Sequence, residues 1–256
     1  MQVFDIPITA STIINTYRTY YPQYWASTDK MKYLHLFGIR VSTYNTGLAD
    51  DFLGAIRMVP SYLYGNTYEI VVGKASLEPS PLWMTKPFDA EARAKGGPAI
   101  LVTGQHKYFY RLRDIKPSWR VGGCGFCPST PPPVYRWNPL ESEKAQWRRD
   151  NTFPLSRYFE DDLRASRAAG FKNSRVKFSD SRDTCIHTAW RPGVKGSSRT
   201  LFYNDSAGCQ VMAPEDRDVL RTMCKWAVEH MNKGYPRQMT YTLFGGDQFY
   251  NANAGE

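Results

Sequence analysis

The stretch Cys124-Gly-Phe-Cys127-Pro sets two thiols at the spacing of half a zinc site or of a dithiol redox pair. Cys185-Ile-His187 could supply two further ligands, because residues two apart on a strand project from one face. That second half lacks the spacing of a zinc module, and nothing around CGFC has the strand-to-helix setting of a thioredoxin-type site. Pro128 and the flanking glycines describe a tight turn more simply. CGFC is therefore expected to shape a turn in a long loop, with its cysteines as thiols or structurally paired and no metal held. A Cys–His nucleophile built from Cys185 or Cys209 with His35, His106, His187 or His230 has no support from spacing. A phosphate cradle should follow a strand and open a helix. Lys95-Gly96-Gly97-Pro98 instead precedes a strand, and Gly245-Gly246-Asp247 stands too near the end of the sequence to open one. With no acid–base or nucleophile constellation, the expectation is a protein that is not an enzyme and carries no resident cofactor.

Composition narrows the class. The chain has 256 residues, 42% of them hydrophobic, enough for one large domain with a substantial core. No run of apolar residues is long enough to span a bilayer, and the first twenty residues lack the basic and apolar regions of a secretory signal, so the expectation is a soluble intracellular product without membrane contact. Five cysteines are too few for a disulfide framework. The net charge of +9 comes from basic and acidic residues interspersed along the chain rather than gathered in an arm. Aromatic residues are unusually abundant, with 17 Tyr, 13 Phe and 7 Trp. Such side chains suit contacts that are partly wet, including those between subunits.

The elements that would position these residues follow from periodicity. Ser11 caps an expected N-terminal helix in which Ile13, Ile14, Tyr17, Tyr20 and Tyr21 form an apolar stripe, and Pro22 stops it. This arm (1–24) either folds back on its own domain or docks on a neighbour. Residues 31–44 read as a long strand with a bulge at Gly38, and Leu48–Met58 as a short helix carrying Leu48, Phe52, Leu53 and Ile56 on one side. Strands are expected at Tyr68–Ala75, Pro98–Thr103 and Lys107–Arg113, the last two joined by a turn at Gly104-Gln105-His106. Proline and glycine crowd residues 114–139, so that 114–151 is expected to form one long loop without regular elements. A helix over Ser156–Ala169 and strands at Ser174–Ser179, Thr184–Trp190 and Arg199–Asn204 come next. The clearest helix is Pro214–Lys233, with acids near its start, Lys233-Gly234 at its end, and a stripe through Leu220, Met223, Trp226 and His230. Met239–Phe244 closes the pattern as a strand, ahead of a polar tail. The fold class expected is α+β, with a mainly antiparallel β-sandwich core over 25–256 and peripheral helices.

Ala207-Gly208-Cys209-Gln210-Val211-Met212, followed by the long helix and the strand Met239–Phe244, resembles the C-terminal part of the insect-virus polyhedrins, the occlusion-body matrix proteins, and most of all the cypovirus type. Asp89-Ala90 through Arg93 to Pro98-Ala99-Ile100 is similar to the entry of a core strand in that family. The resemblance implies a β-sandwich core, trimers stacked into a crystal in the cytoplasm of an infected cell, virus particles embedded in it, and an N-terminal helix lying on neighbouring molecules. It also implies release of the bodies to the environment, dissolution in an alkaline gut, and room for nucleotides between subunits.

The counts give that dissolution a chemistry. Tyrosine and lysine titrate near pH 10, so at about pH 11 the net charge would move from +9 to about −16 if no group were shifted. Ile13, Ile14, Tyr17, Tyr20 and Tyr21 are the expected inter-subunit contacts, and Tyr108 and Tyr110 the expected pH-responsive groups. Removing residues 1–21 should then leave a folded chain unable to form the lattice. The competing reading is a basic nucleic-acid-binding viral protein that stacks bases on Tyr108, Phe109 and Tyr110.

Overall fold

The computed structural model describes residues 1–25, 34–41, 50–61, 65–79, 96–112, 124–149, 155–172, 174–181, 184–188 and 208–255. A short hairpin, β1 (Gln2–Val3) and β2 (Ile6–Pro7), precedes α1 (Ala10–Tyr20) and the single turn α2 (Pro22–Trp25). Seven strands follow: β3 (His35–Arg40), β4 (Asp51–Ser61), β5 (Gly65–Ser76), β6 (Ala99–Leu101), β7 (Gly104–Leu112), β8 (Cys124–Pro128) and β9 (Pro133–Trp137). Helices α3 (Glu141–Arg149) and α4 (Leu155–Ala168) lead to β10 (Val176–Asp180), β11 (Ile186–Thr188) and β12 (Gln210–Met212). A 3-10 turn (Pro214–Asp216) opens α5 (Arg217–Asn232), and β13 (Gln238–Gly245) runs straight into α6 (Gly246–Asn253).

The β-sandwich expectation is overturned. Eight strands close into a barrel in the order β11-β12-β5-β4-β3-β13-β7-β8, and two of its joints, β11 with β12 and β13 with β3, are parallel. The reason lies in the return of the chain: β13 comes back after α5 and inserts between β3 and β7, running with one and against the other. A smaller antiparallel sheet, β10-β9-β6, stands beside the barrel with α4 packed on β10.

The wall formed by β3, β4 and β13 is buried on both faces. On one face Leu36, Leu53, Ala55 and Leu243 share an apolar cluster with Leu220, Met223 and Trp226 of α5. On the other, Phe37, Ile39, Phe52 and Phe244 meet Ile13, Ile14 and Tyr17 of α1 and Phe249 of α6. Burial of large apolar side chains on both sides, at about 1.5–3 kcal/mol each, makes this wall the stable frame of the molecule. Arg57 of β4 ties α5 down by pairing with Glu69 and Glu229 while its guanidinium lies 4.2 Å over the Trp226 ring. In the smaller sheet Arg175 pairs with Glu143 of α3 and Asp162 of α4, and Asp162 also accepts the Trp137 indole N–H at 2.8 Å.

Several local expectations are corrected. Thr9, not Ser11, caps α1, through a reciprocal pair of hydrogen bonds with Thr12. The expected helix at Leu48–Met58 is the strand β4 where it is described. Gly38 carries no bulge, since the register runs through it to Leu53 and Leu243; a Cβ there would collide with the Tyr241 hydroxyl. Gly104, Gln105 and His106 belong to β7 rather than to a turn. The expected loop at 114–151 contains β8, β9 and α3, and the polar tail contains α6. The expected strand at Arg199–Asn204 lies outside the described residues, as do residues 89–95. Among the described residues no helix is long and apolar enough to cross a membrane.

Candidate functional site

Arg40 ends β3, a strand buried along its whole length, and the residue is only 9% exposed. Nη1 donates to the Leu101 carbonyl and Nη2 to the Leu77 carbonyl, both at 3.0 Å, while Nε faces Glu78 Oε1 at 3.8 Å. Asp51, at the start of β4, accepts the Val41 N–H on one carboxylate oxygen and the Leu77 N–H on the other, each at 2.9 Å. One guanidinium thus serves two buried carboxyl groups.

Burial sets their protonation, and Arg40 opposes it only in part. Burial, reinforced by the neighbouring Asp50 charge, pushes Asp51 up to about 8 against the opposing pull of the Leu77 N–H and Arg40. Burial likewise raises Glu78 well above the usual carboxylate range, with Arg40 opposing and Asp51 adding to the rise. Burial thus keeps both carboxyl groups protonated to higher pH than ordinary carboxylates, Asp51 up to about 8.

A second polar chain adjoins it. The Tyr241 hydroxyl donates to Gln210 Oε1 at 3.1 Å, and Gln210 Nε2 donates in turn to the Leu77 and Gly208 carbonyls. Tyr241 is fully buried and burial raises its pKa above the ordinary phenol value. Arg40 and Val41 also line a cleft of about 820 Å³ between the barrel end, α4 and α6. Tyr135, Phe159 and Leu163 give that cleft an apolar wall, and Glu160, Asp247, Arg164 and Arg167 line it with charges of both signs. Carboxylates mixed with guanidiniums do not make an anion trap. Gly245-Gly246 does open a helix after a strand, contrary to expectation, but Gln248 already accepts the Gly245 N–H and Asp247 adds an acid to the first turn.

The residues singled out from sequence fall elsewhere. Ile13, Ile14 and Tyr17 are buried in this chain's own core, with Tyr17 against Phe244 at 5.0 Å between ring centres; Tyr20 and Tyr21 are half-buried. As folded here, the stripe expected to lie on neighbours is turned inward. Asn253 of α6 holds it there through the Thr12 carbonyl and the Thr16 hydroxyl. Tyr108 is fully buried and donates to the Thr184 carbonyl at 2.6 Å, and burial holds its pKa well above 10. Tyr110 is buried beside Phe126. Neither ring is displayed for stacking on a base, and Tyr108 is among the last phenols that alkali would reach.

His106 hydrogen-bonds the Val102 carbonyl and His187 the Thr188 carbonyl, while His230 stacks on Tyr235. CGFC is not a turn but the strand β8, and Cys127 meets Cys185, just ahead of the neighbouring strand β11. Among the described residues no cluster of three or more His, Cys, Asp and Glu side chains is placed to hold a metal ion. Sequence reasoning missed Arg40, Asp51 and Glu78 because they come from three separate stretches. The only local signal is a charged residue ending an otherwise apolar strand, His35–Arg40. Compared with family models, curated proteins and solved structures, the chain matches none.

Proposed function

We propose that this chain is a self-associating structural protein, the matrix subunit of an intracellular crystal that embeds virus particles and comes apart in strong alkali. The observation that carries this reading is the meeting of Gly208 with Ala99. The two stretches through which the sequence resembles the polyhedrins, far apart in the chain, fold against each other there. Gly208 has φ +153°, and a Cβ on it would lie 2.8 Å from both the Cβ and the carbonyl oxygen of Ala99, so only glycine fits the contact. Downstream, β12, α5 and β13 follow in the order that the resemblance leads one to expect.

On this reading the partner is another copy of the same chain, with trimers as the building block and the cytoplasm of an infected cell as the place of assembly. Alkali acts in two ways. At the contacts between copies it ionises surface phenols and discharges lysines, turning a net positive protein negative. In the interior it ionises Asp51, whose pKa burial pushes up to about 8, and adds to the negative charge that Arg40 faces beside Glu78. The buried Tyr108 and Tyr241 take no part until the fold itself opens.

Sedimentation velocity on the purified chain tests the reading. Large assemblies at pH 7 that fall to small species at about pH 10.5 are expected. A monomer at both pH values, at every concentration reached, would remove it.

A further inference from the structure

We propose that Cys127 and Cys185 form a disulfide that staples the closing seam of the barrel. The inference stands on the strand register and does not depend on the assembly reading. Strands β8 and β11 pair antiparallel with Ile186 opposite Phe126. One step along each strand, in opposite directions, sets Cys127 opposite Cys185. Directly opposed residues of an antiparallel pair have Cβ atoms about 4.5–5.5 Å apart, close to the separation a disulfide bridges.

The side chains use that proximity. The two sulfurs lie 2.7 Å apart, inside the roughly 3.5–4.0 Å of ordinary non-bonded contact. Both residues are buried, and the backbone around them is held from three sides. The Tyr108 hydroxyl donates to the carbonyl of Thr184, the Gln210 N–H donates to the carbonyl of Cys185 at 2.8 Å, and Cys127 pairs with Phe109 of β7.

The location gives the bond a purpose. Among the described residues the joint between β8 and β11 is paired at Ile186 and Phe126 alone, whereas β4 and β5 pair continuously from Asp51 to Ser61. The chain between the two cysteines contains β9, α3, α4 and β10, most of the smaller layer. A covalent link would close the barrel at this sparsely paired joint and fix both ends of that layer to one point.

The chemistry is thiol–disulfide exchange with a low-molecular-weight disulfide such as oxidised glutathione. The thiolate of one cysteine attacks a glutathione sulfur, forming a mixed disulfide and expelling one glutathione thiolate. The thiolate of the second cysteine then attacks the protein sulfur of that mixed disulfide and expels the other. Two protein thiols are oxidised, one glutathione disulfide is reduced to two thiols, and the two protons leave with them.

The full chain is equilibrated in buffers of graded oxidised-to-reduced glutathione ratio, quenched with an alkylating reagent and mapped by non-reducing peptide mass spectrometry. The expected product is one linked peptide pair, Cys127 with Cys185, two hydrogens lighter than the separate thiol peptides. The oxidised protein should melt roughly 5–10 °C above the reduced one, and Cys127→Ser and Cys185→Ser should each abolish that increment. Recovery of both cysteines as separate alkylated or glutathionylated peptides under oxidising conditions would overturn the proposal, as would either one linked elsewhere. A linked pair with no change in melting temperature would overturn the stapling role. The map of the unaltered chain decides the linkage even if a variant fails to fold.

Discussion

Glu78 and Asp51 are buried beside one guanidinium, and their burial makes stability depend on pH. In the unfolded chain both ionise near pH 4, whereas burial delays ionisation of Asp51 to about 8 in the fold and raises Glu78 as well. Between those limits the folded state holds protons that the unfolded state has released. The stabilisation is therefore complete below about pH 4 and is lost as pH rises through about 8. Replacing Glu78 by Gln removes one of the two acids and should flatten the fall in melting temperature between pH 5 and pH 9, measured by thermal scans across that range. An undiminished slope would exclude Glu78 as a source. At Gly38 the prediction is steric. Gly38→Ala drives a methyl into the Tyr241 hydroxyl and should cost about 1–3 kcal/mol in chemical denaturation. None of these partnerships was legible in the sequence, because Arg40, Asp51 and Glu78 are unremarkable where they stand and acquire meaning only when β3, β4 and the end of β5 converge.

Among the elements, α5 was readable because its acids, apolar stripe and Lys-Gly end all describe the same helix, and Arg217–Asn232 fills the space that stripe demands. β4 was misread for a physical reason. Phe52 and Ile56 face one cluster and Leu53 and Ala55 the other, so a strand buried on both sides shows no alternation and its spacing imitates a helical stripe. β8 and β9 were hidden by proline, yet Pro128 ends one strand and Pro133 begins the other, positions where a missing N–H is tolerated. The helix α1 was placed correctly along the chain, but its stripe packs on β3, β13 and α6 of its own molecule. Removing residues 1–21 is therefore expected to do more than block association. Losing Ile13, Ile14 and Tyr17 from the core should cost about 5 kcal/mol or more, read as a large drop in the denaturation midpoint or as insoluble expression. Asn253→Ala, which severs α6 from Thr12 and Thr16, should give a milder loss of about 1–3 kcal/mol in the same assay.

At the scale of the whole molecule, the sequence conveyed a mixed α and β chain with many aromatics but not a closed barrel, since closure depends on β13 returning in parallel beside β3 and on β8 meeting β11. Among the described residues many aromatics are spent inside: Tyr17, Tyr108, Tyr241 and Trp137 are among the most deeply buried side chains. On the proposed reading an alkaline response would rest on surface phenols and lysines together with the buried acid pair, rather than on Tyr108 and Tyr110. Association of identical copies at neutral pH, reversed by base, is the claim on which the functional account rests. Its most direct measurement is to express the full chain in cells and follow the detergent-insoluble fraction by microscopy and pelleting as pH is raised. Refractile bodies that persist at pH 7 and dissolve above about pH 10 are predicted; a chain that stays dispersed at high intracellular concentration, or bodies indifferent to alkali, would contradict the account.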